Sequence, residues 1–255
     1  CETPVTRKDL VQWFFGITRY ADRLLAGLDG IDWPEKTKTM QRNWIGRSEG
    51  AEITFSFAPG TPGADSLTEN ELRFKVFTTR PDTLFGVTYV VMAPEHPLVE
   101  RITTPERREE VARYIELARS QNEIQRTSTV KEKTGVFTGA YAVNPANGEK
   151  VPVWIADYVL ASYGTGIVMA VPAHDERDFE FASRMNLPVR EVIAPLSGPS
   201  IRPLESAYVE PGTMINSAEF NGRESRAGGR ALVEKLKSAG QADFRINYKL
   251  RDWLI

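Results

Sequence analysis

The sequence predicts an α+β fold: a barrel-like, mixed β-sheet core flanked by helices. Three observations point there. Runs at 51–57 and 72–78 alternate apolar and polar residues, the pattern of half-buried strands. Runs at 87–93 and 166–171 are almost wholly apolar, as in strands covered on both faces. Helical stripes fall between these runs in the order strand, strand, helix, strand, strand, helix. That order lacks the regular alternation of a doubly wound fold.

Residues 7–28 place Leu10, Trp13, Phe14, Ile17, Ala21, Leu24 and Leu25 on one side of a helix that ends near Gly27 and Gly30. Asp32-Trp33-Pro34 is a turn, and 36–47 is basic and polar around Trp44 and Ile45. Ile53, Phe55 and Phe57 share one strand face, and Leu72, Phe74 and Val76 share another. The Pro/Gly turn at 59–63 makes an antiparallel pair of them. Pro105 opens a helix over 104–118 with Val111, Tyr114, Ile115 and Ala118 as its stripe. Strands follow at 151–155 and 166–171, then a helix over 175–185 with Phe179 and Ala182 inward. A loop rich in Pro, Ser and Gly covers 195–212. The last helix, 225–239, is capped by Ser225 and ended by Gly240.

Composition narrows the function classes. Thirty-two Lys and Arg against 34 Asp and Glu leave a net charge of −2, too little for broad gripping of duplex nucleic acid. An RNA partner would therefore offer a short single-stranded end. No apolar run reaches the ~20 residues of a membrane helix, and no secretory signal opens the chain. One cysteine excludes an internal disulfide and suits a cytoplasmic setting. The chain begins at Cys1 rather than Met and stops on an apolar run at Ile255, so a piece of a longer protein is expected. Its organisation reads as a connecting arm with an N-terminal helix (1–49), a central domain (50–244) and a return arm (245–255).

Two segments carry chemistry. Thr78-Thr79-Arg80-Pro81-Asp82-Thr83 follows a strand and gathers three hydroxyls and a guanidinium on one loop. The same residues would also serve as ordinary capping of a strand end and turn. In the second, Met169 to Asp178, a buried strand leaves the sheet through Pro172 and enters a helix at an acidic turn. Asp175 and Asp178 are three apart and share a face at the helix start, where they either cap it or grip a cation such as an ammonium. His174 reads as a structural histidine or as a general base. Neither His174 nor His96 belongs to a metal-binding cluster. Gly164-Thr165-Gly166 lacks the lysine of a phosphate loop and reads as a turn allowing close approach.

In order along the chain stand Trp44-Ile45-Gly46-Arg47-Ser48, the TTRPDT of 78–83, Tyr163-Gly164-Thr165-Gly166, and the AVPAHDERD of 170–178. Together they resemble the large insertion with which class I synthetases for leucine, isoleucine and valine edit mischarged tRNA. TTRPDT resembles the leucyl-tRNA synthetase family of bacterial type in particular, since the isoleucine and valine enzymes usually carry a TTxPWT-like version. The resemblance covers essentially the whole chain, including both arms.

The resemblance implies hydrolytic proofreading of tRNA(Leu) carrying noncognate amino acids of the norvaline, isoleucine or methionine type. The partners implied are the 3′ CCA end and the remainder of the synthetase in cis, in a monomer with no membrane partner. Asp178 is implied as the anchor of the α-amino group, with Asp175 assisting. Thr78 and Thr79 face the terminal adenosine and the scissile ester, with Arg80 beside them. Thr83 narrows the side-chain pocket against leucine, and Tyr163, Met169, Val171 and His174 complete the substrate-binding set. Catalytic roles fall to Thr78, Thr79 and Asp178. No cofactor or metal is implied for editing; ATP and magnesium belong to the parent enzyme, whose HIGH-like and KMSKS-like signatures are not in this chain. The alternatives are an isoleucyl- or valyl-type editing domain and a non-catalytic RNA-docking insert.

Overall fold

A computed structural model describes residues 10–63, 67–121, 126, 132–161, 164–196 and 204–255. The chain divides into a larger unit, Glu49–Arg245, and a smaller one made of Cys1–Ser48 with Ile246–Ile255.

In the smaller unit, the helix expected over 7–28 starts late. Phe14–Phe15 form a short strand, β1, and a 3-10 turn at Ile17–Tyr20 leads into helix α1 (Ala21–Gly27). β1 pairs with Trp253–Leu254 (β11), a partner far along the chain that no local periodicity reveals. Helix α2 (Glu35–Ile45) then begins after Pro34, inside the stretch read only as basic and polar. It ends at Gly46, whose φ of 58° no branched residue would adopt cheaply, and where a Cβ would strike the Lys249 side chain. Ala21, Leu28, Ile45 and Leu250 form this unit's core.

The larger unit is built on a seven-stranded mixed sheet. Its strands are β2 (Ser48–Phe57), β3 (Arg73–Thr78), β4 (Tyr89–Met92), β5 (Gly135–Val143), β6 (Lys150–Ala156), β7 (Ile167–Ala170) and β10 (Ala242–Asn247). The order is β10-β2-β5-β6-β4-β7, with β3 also on β2. The β2–β3 pair is antiparallel as expected, with Phe55 opposite Phe74 and Ile53 opposite Val76. The stacked Phe55 and Phe74 rings, 5.8 Å apart, add about 0.5–1.5 kcal/mol beyond their burial. β4 runs parallel to β6 and antiparallel to β7, and all four of its residues are buried, which explains its unbroken apolar run. β8 (Ile193–Ala194) and β9 (Thr213–Met214) form a separate ribbon.

Helices flank the sheet: α3 (Val99–Ile102), α4 (Arg108–Arg119), α5 (Glu176–Arg184) and α6 (Ser225–Ser238). The α4 stripe is the expected one, with Val111, Tyr114, Ile115 and Ala118 buried. On α5 the inward residues are Asp178, Phe181 and Ala182, whereas Phe179 is only half-buried. On α6 the cap is Glu224, whose carboxylate accepts from the Arg226 and Ala227 N–H groups; Ser225 already lies within the helix. The α+β class with a mixed sheet is thus the observed architecture. Among the described residues no helix is long and apolar enough to cross a membrane.

Candidate active site

β3 ends at Thr78, and the chain turns through Thr79 and Arg80 into a 3-10 turn, Pro81–Gly86. Proline suits the first helical position because its fixed φ is already right and no N–H is left unpaired. The Thr78 hydroxyl accepts from the Arg80 N–H at 3.0 Å, which folds the loop back on itself. Thr79 is exposed beside it. Thr83 is fully buried, and its hydroxyl donates to the Arg80 carbonyl at 2.7 Å, so its stiff side chain is held in one orientation.

Arg80 is a clamp. Its Nε donates to both oxygens of Asp82 at 3.1 and 3.2 Å, and its Nη2 to Oδ2 at 2.9 Å. The remaining arm, Nη1, reaches the Val209 carbonyl at 2.7 Å. Asp82 is buried, so this bidentate pair sits where water screens it little.

β7 brings the second motif alongside, since β3 and β7 lie close together in space. Met169 and Val171 are buried in the main apolar core. The chain then turns through Pro172, Ala173 and His174 to Asp175, the N-cap of α5. Asp175 accepts from the N–H groups of Arg177 and Asp178 at 3.0 and 3.2 Å, the capping expected of it. Asp178 does not reach back to complete a capping box. Instead its Oδ2 accepts from the Val171 N–H at 2.8 Å, and Oδ1 lies 3.4 Å from the Tyr158 hydroxyl.

Asp178 is 6% exposed, and its hydrogen-bond donors are neutral. Burial, with the Asp175 charge next, pushes its carboxyl up to about 7, against the opposing pull of the Val171 N–H, Arg177 and Tyr158. The nearby Arg177 guanidinium is bonded to Asp175. A buried carboxylate without a bonded cation is costly, and an incoming ammonium would relieve that cost.

His174 is structural in this geometry. Nδ1 meets the Tyr208 carbonyl at 3.0 Å, and Nε2 accepts from the Val192 and Ile193 N–H groups at 2.9 and 3.2 Å. Both ring nitrogens are used by backbone, and burial holds the imidazole neutral by lowering its pKa. Contact with substrate through a ring nitrogen would require breaking one of these bonds.

A third segment, legible in the sequence only as loop, ties the two motifs together. The Tyr208 N–H donates to the Ala173 carbonyl at 2.8 Å, so 208–209 is strapped to His174 on one side and to Arg80 on the other. From behind, α6 packs on the Pro81–Gly86 turn through Gly229, where a Cβ would lie 2.8 Å from the Asp82 nitrogen. Gly229→Ala is therefore expected to push the turn away and cost about 1–3 kcal/mol. A lowered urea midpoint with unchanged slope would show it.

Thr78, Thr79, Arg80, Thr83, Met169, Val171, His174, Asp175 and Asp178 thus lie on two neighbouring strand ends and the turns that follow them. Tyr163 lies outside the described residues. Sequence reasoning missed Tyr158, Tyr208, Val209 and Gly229, which act through long-range contacts. A cleft of about 910 Å³ lined by Phe14, Phe15, Tyr20 and Trp253 belongs to the smaller unit and holds none of the motif residues. Among the described residues no three His, Cys, Asp or Glu side chains gather as a metal site.

A family model described as "Leucyl-tRNA synthetase, editing domain" matches residues 42–237. A leucine–tRNA ligase of Clostridium tetani is 55% identical over 255 residues, all of this chain and 29% of that protein. One of Caldanaerobacter subterraneus is 57% identical, over all of this chain and 30% of its own length. The chain therefore spans under a third of the curated relatives it matches. Among solved structures, a LeuRS of Agrobacterium radiobacter K84 in a ternary complex with tRNA and LeuAMS superposes with a TM-score of 0.70. It is 35% identical and covers 96% of this chain and 26% of the other. The matched family is the leucine one, which sets aside the isoleucyl and valyl alternatives. The chain belongs to the leucyl-tRNA synthetase editing-domain family.

Proposed function

We propose that this chain hydrolyses the ester joining a noncognate amino acid to the 3′-terminal adenosine of tRNA(Leu). The observation that carries the reading is Asp178: a buried carboxylate with neutral donors, beside a strand end rich in hydroxyls. An α-ammonium supplies the missing cation, and the charge-assisted bond orients the ester. Asp175 adds negative charge at the same helix start. Thr78 and Thr79 offer hydroxyls to the terminal adenosine and the developing oxyanion. Water attacks the carbonyl carbon, the bond to the ribose oxygen breaks, and that oxygen takes up a proton, releasing amino acid and tRNA. Arg80 serves this site through the loop that it clamps, by way of Asp82 and Val209. The tRNA in the related ternary complex supports an RNA substrate, and the relatives' greater length supports a synthetase body in cis. The setting proposed for this editing is the cytoplasm.

Selection against leucine falls to Thr83 with Met169 and Val171. A pocket separates side chains differing by one methylene by only about 1–3 kcal/mol, so a clash with a rigid residue is the stronger device. Thr83→Ala is expected to raise hydrolysis of leucyl-tRNA(Leu) by tenfold or more, roughly the worth of one such contact, while norvalyl-tRNA(Leu) is hydrolysed as before. Deacylation of both esters by wild type and variant tests this. A folded wild-type chain that binds the tRNA end yet hydrolyses neither ester would favour the docking insert instead.

A further inference from the structure

We infer that Tyr158, backed by Tyr89, holds the Asp178 carboxylate in its ammonium-binding form, making Tyr158 a positioning residue for editing. The inference rests on the function proposed above. It starts from two hydroxyls that the described site does not otherwise use. Tyr158 leaves the sheet just after β6, and its hydroxyl points at Asp178 Oδ1. Tyr89, on β4 and fully buried, donates to the Asp178 backbone carbonyl at 3.0 Å. The side chain and the main chain of one aspartate are thus each met by a phenol.

Packing alone would not call for tyrosine here. Both rings lie against Phe181, Tyr89 stacked at 5.4 Å and Tyr158 edge-on at 5.8 Å, and a phenylalanine would fill the same space. A buried hydroxyl is retained at a cost unless it is hydrogen-bonded, and here both hydroxyls meet Asp178.

Tyr158 is also firmly held. The Arg126 guanidinium donates to the carbonyls on either side of it, Asp157 at 2.8 Å and Val159 at 2.7 Å. The Tyr114 hydroxyl accepts from the Asp157 N–H at 3.0 Å. A phenol fixed in this way is preorganised to stabilise charge on Asp178. The other groups acting on that carboxylate are the Val171 N–H at the end of β7, and Asp175 and Arg177 on α5. Of these only Asp175 opposes its ionisation.

The test is Tyr158→Phe in the complete chain, read as the pH dependence of norvalyl-tRNA(Leu) deacylation. The acid limb of kcat/KM reports the free site and is expected near pH 7 in the wild type, where the Asp178 carboxyl titrates. Loss of the phenol donor moves that limb upward by about half a pH unit or more. At neutral pH KM rises while kcat is largely kept, and alkaline pH restores the wild-type rate. A norvalyl-adenosine analogue lacking the α-amino group binds both proteins equally. An acid limb that stays in place, or a uniform loss at every pH with a lowered thermal midpoint, overturns the inference. A wild type that neither hydrolyses the ester nor binds its analogue defeats the editing reading itself, and this inference with it.

Discussion

Asp178→Asn is expected to abolish editing while making the protein more stable at alkaline pH. Burial raises this carboxyl to about 7, above the ordinary carboxylate range. Between those values the folded state binds a proton that the unfolded state has released. The stability this group contributes is therefore present at acid pH and lost as pH rises through about 7. Fully expressed, a shift of that size corresponds to about 4 kcal/mol, and relaxation around the site leaves an expected effect of about 1–3 kcal/mol. Asparagine keeps the shape and can still accept from Val171, but it carries no charge. Its thermal midpoint should exceed the wild type's by several degrees at about pH 8 and by clearly less at about pH 5, the gap closing only below the ordinary carboxylate range. Deacylation should fall by about 100-fold or more, the consequence of losing one partner of a buried charge pair. Thermal scans at both pH values, set beside kcat/KM, check the two halves. A variant equally destabilised at both would remove the basis for treating Asp178 as a buried charge awaiting a cation.

The largest loss of stability is expected at Arg126. Its side chain is almost wholly buried, pairs with Glu95 at 2.9 Å and donates to two carbonyls. Arg126→Leu leaves the carboxylate and both carbonyls without that partner, which should cost about 3–5 kcal/mol. Adding Glu95→Leu should recover part of it, since the stranded charge is then removed as well. Urea unfolding of the two single variants and the double variant measures the coupling. Because Arg126 brackets Tyr158, its single variant should also weaken binding of an ammonium-bearing analogue. Full retention of stability in Arg126→Leu would contradict the clamp.

What the sequence made legible was local. The Asp175 cap follows from a strand leaving through Pro172 into an acidic turn, and the 3-10 turn follows from Pro81 after a strand end. The β2–β3 pair could be read from alternation across a Pro/Gly turn, and the α4 stripe from period 3.6. What escaped depends on distant partners. β5 contains Gly139 at φ 83° and a register shift between Phe137 and Tyr141, so its alternation breaks where it would have been read. β1 exists only because residues 253–254 return to pair with it. Glu224 caps α6 in place of the neighbouring Ser225 because its longer side chain folds back onto two N–H groups. In the site, residue type read Arg80 as an anion binder and His174 as a structural histidine or a general base, and the resemblance implied substrate contact for both. The structure shows Arg80 committed to Asp82 and Val209, and His174 to three backbone groups, through contacts up to 129 residues apart. Tyr158 carried no motif at all; its place beside Asp178 emerges only from the packing of α5 on the sheet.

The most direct measurement is calorimetric binding of a non-hydrolysable norvalyl-adenosine analogue, beside its leucyl counterpart, to the wild-type chain and to Asp178→Asn. The wild type is expected to bind the norvalyl compound and reject the leucyl one, and Asp178→Asn to bind neither. Undiminished norvalyl binding by a folded Asp178→Asn protein would contradict that expectation.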